Sequence, residues 1–172
     1  YEKDIETATG MLFGSLVLIY AISLQPVALF YFFYVETGLV VRLAAIAQYF
    51  LVAGIWLVGV FLSALKEHRA ITLGYWTGMV VAAGATTALA KPYGLAGMLT
   101  GFCAGLAVVL FALVGRILAE YHYDLLRPFA VLKYFRRHWE LAASGVVYNL
   151  AIWVDKFIFW ISPQREVLGN QM

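Results

Sequence analysis

Residues 70–90 read AITLGYWTGMVVAAGATTALA, and residues 92–115, after a single lysine, read PYGLAGMLTGFCAGLAVVLFALVG. Neither run contains a charged side chain, and each is long enough for the roughly 20 apolar residues with which an α-helix crosses a bilayer. Two more uncharged runs, 7–35 and 43–65, precede them. Only 13% of the chain is charged, against roughly 25% in soluble domains. The sequence therefore predicts an all-α, polytopic transmembrane bundle.

Charged and turn-forming residues between the apolar runs divide the chain into about five predicted spans. The spans are predicted at about 10–34, 43–65, 71–90, 95–116 and 141–162. Four of them form one bundle within 1–117, a polar segment follows at 118–140, and the fifth span with a polar tail occupies 141–172. Because the span count is odd and the first residue is Tyr1, we expect this sequence to be a fragment of a longer protein.

Lysine and arginine residues are distributed unequally between the two predicted sides of the membrane. Eight lie on the side of the N-terminus and three on the opposite side, when Lys156 is left out as intramembrane. Positive charge accumulates on the cytoplasmic side of membrane proteins. We therefore expect the N-terminus and the polar segment 118–140 to be cytoplasmic.

Three glycines share one face of the fourth predicted span: Gly97, Gly101 and Gly105. Small residues let helices approach closely in lipid, where hydrophobic drive between helices is weak. The pattern predicts a helix-packing face. A sliding surface for conformational change would need the same residues, so the pattern leaves both roles open.

The segment 118–140 combines positive charge with an apolar face. Its cations are Arg127, Lys133, Arg136 and Arg137, and its apolar side chains at helical spacing are Leu125, Phe129, Leu132, Phe135 and Trp139. This pattern is typical of a basic amphipathic helix on a membrane surface, and it would also suit contact with a partner protein. The alternative is a soluble loop that only carries the charge that sets topology.

Polar and aromatic side chains occur together in the fifth predicted span, where residues 148–160 read YNLAIWVDKFIFW. Ionisable groups inside a membrane span are expensive to bury and are by default candidates for function. On a helix the amide, the two tryptophans and the lysine share one face, and the aspartate flanks it. The candidate substrate-pathway residues are Asn149, Trp153, Asp155, Lys156 and Trp160. Alternatively, these residues lie near the membrane surface, where lysine snorkels and tryptophans form an interfacial belt.

Sequence patterns of catalysis and cofactor binding are missing. No Gly-Lys pair occurs, which excludes a Walker-type phosphate loop, and no Gly-x-Ser-x-Gly elbow occurs. The histidines are not at metal-ligand spacing with a cysteine or a second histidine. We therefore expect no enzyme activity, no cofactor and no metal. The basic residues are spread over short loops, so we expect no nucleic-acid partner.

The run at 148–160, together with Tyr1-Glu2-Lys3, resembles the PelG family of bacterial exopolysaccharide exporters. The turn Pro92-Tyr93-Gly94-Leu95-Ala96-Gly97 is also similar to turns in polysaccharide flippases of the wider multidrug and oligosaccharidyl-lipid exporter superfamily. The resemblance extends over nearly the whole chain.

The resemblance implies a parent protein of about twelve spans in two lobes, located in the bacterial inner membrane. This chain would supply the third to sixth spans, the cytoplasmic linker and the first span of the second lobe. The implied activity is export of the Pel polysaccharide, a cationic amino-sugar polymer of biofilms. The implied partners are a cytosolic glycosyltransferase, for which the basic linker is a docking surface, and other membrane subunits.

Two functions from other classes remain as alternatives to export. A non-transporting membrane scaffold of a polysaccharide synthase complex would use the intramembrane charges only to hold helices together. A membrane-embedded enzyme ranks third, because no nucleophile–base pair is present.

Overall fold

The computed structural model describes residues 2–121 and 130–161. Every element in those two ranges is an α-helix, which confirms the predicted all-α fold. The helices are α1 (Glu2–Phe33), α2 (Leu39–Ala64), α3 (His68–Glu120), α4 (Ala130–Arg137) and α5 (Trp139–Ile161).

In the described part of the chain, three helices are long and apolar enough to cross a membrane, over Glu6–Phe33, Leu39–Ala64 and His68–Glu120. They confirm a multi-pass helical membrane protein. The helix α5 covers almost the same residues as the fifth predicted span, and its membrane crossing stays a prediction.

The first helix begins at Glu2, before the predicted first span, which starts at about residue 10. Three carboxylates lie in its first two turns, at Glu2, Asp4 and Glu6. Negative charge near a helix N-terminus interacts favourably with the helix dipole. Polar residues before the apolar run therefore extend the helix, and the length of the apolar run underestimates the length of the helix.

The third helix folds back on itself at Gly94, which has φ 56° and ψ −134°. A straight helix of its 53 residues would be about 80 Å long, far more than the roughly 30 Å of a bilayer core. Glycine lacks the Cβ that disfavours positive φ, so the turn occurs there. We call residues 68–93 the first arm and residues 95–120 the second arm.

Side-chain contacts fix the directions of the helices in the unit Tyr1–Val131, which forms one compact body. The Tyr20 hydroxyl donates to the carbonyl oxygen of Phe50 at 2.7 Å, and Arg42 Nη1 donates to that of Phe32 at 3.3 Å. Because a later residue of α1 contacts an earlier residue of α2, these two pairs show that α1 and α2 are antiparallel. The end of the bundle where α2 stops is called the Lys66 end, and the opposite end is called the Gly94 end.

The core lies in the half of the bundle nearer the Lys66 end. Its fully buried aliphatic side chains come from α2 and the second arm, and they are Val58, Leu62, Leu113 and Ile117. The helix α1 contributes Leu12 to the same cluster. Towards the Gly94 end, the apolar side chains of α1 are largely exposed, including Ile22 at 73% and Phe33 at 77%.

Candidate functional site

The three glycines of the second arm lie buried against the first arm. A Cβ atom at Gly101 would lie 2.5 Å from the backbone nitrogen of Thr86 and 2.6 Å from the carbonyl carbon of Ala85. A Cβ atom at Gly97 would lie 2.8 Å from the carbonyl carbon of Leu89. Such distances do not occur for real side chains, so the two backbones touch only because these positions are glycine.

The same close contact continues towards the Lys66 end. A Cβ atom at Gly105 would lie 2.6 Å from both the Cα of Ala82 and the carbonyl oxygen of Gly78. A Cβ atom at Gly74 would meet the side chain of Leu113 at 3.1 Å. The two arms are therefore antiparallel along their length, and glycines of both arms build the interface.

An ionic cluster connects the second arm with the α2–α3 turn at the Lys66 end. Arg116 donates to Glu120 at 2.6 Å, one turn further along the second arm, and reaches Glu67 of the turn at 3.4 Å. The spacing of Arg116 and Glu120 predicts an ion pair on a helix. The longer-range partner, Glu67, cannot be found from spacing because it is brought close only by the fold.

We expect a small effect of removing this cluster, because its side chains are partly exposed, at 40% for Arg116 and 26% for Glu67. The variant Arg116→Gln should lose about 1 kcal/mol or less of the free energy of unfolding, since solvent screens such pairs. Thermal unfolding in detergent at low and high salt measures it. The deficit relative to wild type should shrink at high salt, and a deficit that is unchanged by salt would contradict an ionic origin.

The helix α4 presents cations and apolar side chains to its surroundings. Lys133, Arg136 and Arg137 are exposed within two turns, and they line an open cleft together with Leu132. Phe135 and Trp139 are each 60% exposed. The fourth predicted cation of this surface, Arg127, lies outside the described residues.

The predicted substrate-pathway residues all lie on α5. Its helical backbone from Trp139 to Ile161 supports the spacing on which a shared face was predicted. The Trp153 side chain is 50% exposed. The side chains of the other four lie outside the described part of the structure, and these are Asn149, Asp155, Lys156 and Trp160.

The described residues contain no group of three or more histidine, cysteine or acidic side chains that could hold a metal ion. Cys103 lies against α2, where its sulfur donates to the carbonyl oxygen of Ala44 at 3.2 Å. Its neighbours in the structure therefore assign it to helix packing.

Comparison with protein families matches the exopolysaccharide exporters termed PelG over residues 1–172. The chain belongs to the PelG family. The match covers the whole sequence, and it agrees with the resemblance at 148–160 and with the apolar helices of the structure. Neither the curated proteins nor the solved structures gave a match. As a member of PelG, the chain is a multi-pass membrane protein of an exopolysaccharide exporter family.

Proposed function

We propose that this chain is part of an inner-membrane, flippase-like transporter that exports a biofilm exopolysaccharide of the Pel type by alternating access. The observation that carries the proposal is the PelG family match over the full sequence. Alternating access needs rigid bundles that move relative to one another. The two arms of α3, with their glycine-mediated backbone contacts, have the packing that such a rigid element requires.

We assign the substrate pathway to α5, with Asn149, Trp153 and Asp155 facing the pathway. In this assignment Lys156 pairs with a carboxylate or a sugar, and the aromatic side chains stack on sugar rings. The proposal places the N-terminus and α4 on the cytoplasmic side, following the excess of lysine and arginine there. No step of this function requires an enzyme activity or a cofactor from the chain.

The exposed cations of α4 suit a cytosolic partner, and we propose the glycosyltransferase that makes the polymer. Exposed apolar side chains on the same helix, including Leu132 at 55% and Phe135 at 60%, would add contact area. Other membrane subunits of the export complex would contact exposed apolar faces of the membrane-spanning helices.

Depleting the complete protein in cells that make the polysaccharide tests export against scaffolding. Secreted polymer, polymer inside the cell and co-purification of the remaining subunits are measured together. For an exporter we expect secretion to stop while polymer or its lipid-linked units accumulate inside and the other subunits still co-purify. If the other subunits separate and no polymer is made inside the cell, the chain is a scaffold and the export proposal is wrong.

A further inference from the structure

A groove of about 290 Å³ runs between the last turns of α2 and the first turns of α3. It is bounded by seven side chains or backbone positions, namely Ile55, Trp56, Gly59, Val60, Ser63, Ile71 and Tyr75. All seven lie within the two predicted membrane spans 43–65 and 71–90. The groove is largely apolar, and its lining includes the exposed Trp56 and Val60.

Gly59 lines the groove, and an added Cβ atom there would meet nothing within 4 Å. The described helices therefore do not need glycine there, unlike at the buried Gly101 or Gly105. The walls are large side chains, with Trp56 at 71% and Tyr75 at 41% exposure. A groove of this size between exposed aromatic side chains offers apolar contact to a narrow flexible chain such as an acyl chain.

The groove ends near the turn that joins the two helices, since its lining includes Ser63 before the turn and Ile71 after it. Ser63 is the last groove residue of α2, and the turn with Lys66 follows at once. The carboxylate of Glu67 forms an ion pair with Arg116 on the second arm at 3.4 Å. Within the described part of the chain Lys66 and Arg69 are not ion-paired, so the turn presents unpaired positive charge.

The backbone of Lys66 is unusual, because its φ is 63°. Its N–H donates to the carbonyl of Ser63, and that of Glu67 donates to Leu62, each at 3.0 Å. These two bonds form the helix-ending motif in which the left-handed residue is usually glycine. Lysine therefore stands where glycine would be less strained, and its side chain is exposed.

We propose that this groove binds an anionic phospholipid of the bilayer, with an acyl chain between Trp56 and Tyr75 and the headgroup phosphate at Lys66. Basic residues at the membrane-surface end of a cleft between spans are suited to anionic headgroups. A free phosphate would leave the apolar part of the groove unfilled, whereas a phospholipid fills it with an acyl chain. This site is independent of the export proposal, since it requires only that the chain lies in a membrane.

The site is tested on the complete protein purified in detergent, with added phosphatidylglycerol compared with phosphatidylcholine. Bound lipid is counted by native mass spectrometry, and thermal unfolding is followed in parallel. We expect phosphatidylglycerol to remain bound preferentially and to raise the unfolding temperature more than phosphatidylcholine does. Equal responses to the two lipids would overturn the proposal.

Two substitutions separate the groove from its charge. Gly59→Leu puts a side chain into the groove at a position where its Cβ atom meets nothing within 4 Å, and it should abolish the preference for phosphatidylglycerol. Lys66→Gly should weaken that lipid about fivefold, while the relief of the backbone leaves the lipid-free protein at least as stable. Lys66→Arg keeps the charge and should keep the preference.

The matched control is Gly84→Leu on the first arm, where a Cβ atom also meets nothing within 4 Å. It should behave as wild type in both lipids. If Gly59→Leu retains the phosphatidylglycerol preference, the groove does not bind lipid. If it instead releases a membrane subunit from the complex while lipid binding is unchanged, the occupant is a helix of that subunit and the lipid proposal is wrong.

Discussion

Replacing Gly105 with leucine is expected to disrupt the antiparallel packing of the two arms of α3. Even the first carbon of a side chain there would lie 2.6 Å from the Cα of Ala82 and from the carbonyl oxygen of Gly78. These are backbone atoms, which cannot rotate away as the end of a flexible side chain can. Over-packing typically costs about 1–3 kcal/mol and occasionally more, and we expect the upper end of that range. Thermal unfolding of the purified protein and its level in membranes measure the loss.

The matched control is Gly115→Leu, on the same arm and closer to its C-terminal end. An added Cβ atom at Gly115 meets nothing within 4 Å, so this variant should unfold at nearly the wild-type temperature. Leucine also has a higher helix propensity than glycine, which favours the control slightly. Similar losses for the two variants would mean that the arms are not held together through Gly105.

The two antiparallel arms of α3 show which parts of the fold the sequence could predict. Its two apolar runs and the Pro92–Gly94 turn are local features, so the turn and both arms were predictable. The pairing of Gly105 with Gly78 and Ala82 is a contact between distant residues, and the repeated spacing of four identifies only the face that packs. The partner of that face became known from the structure.

Local patterns were less informative at the Lys66 end. A charged break between the spans 43–65 and 71–90 was predicted, but the left-handed backbone of Lys66 has no sequence signal, because glycine is the usual residue there. The contact of Glu67 with Arg116 at 3.4 Å joins residues that are distant in sequence. The groove between Trp56 and Tyr75 likewise depends on how two helices pack.

For the candidate pathway, the structure adds the helical backbone of α5, and the roles of its polar residues remain sequence predictions.

The substitution Asp155→Asn in the complete protein is expected to stop polysaccharide secretion. It removes one negative charge and leaves nearly the same shape, so a carboxylate that serves the proposed export pathway loses its function. Ionisable groups within membrane spans are most often placed on substrate or ion pathways. Secreted polymer is measured together with the membrane level of the variant and co-purification of its partners, which should both remain as in wild type.

A second acid on the same helix provides the control. Glu140 lies in the first turn of α5 and is exposed, so Glu140→Gln makes the same chemical change outside the apolar part of the span and should leave secretion intact. Asp155→Glu keeps the charge and should restore part of the secretion lost in Asp155→Asn. If Asp155→Asn secretes as wild type does, the carboxylate lies at the membrane surface, and Trp153 and Trp160 belong to an interfacial belt. If assembly of the complex fails together with secretion, the charge holds helices together, as a scaffold would require.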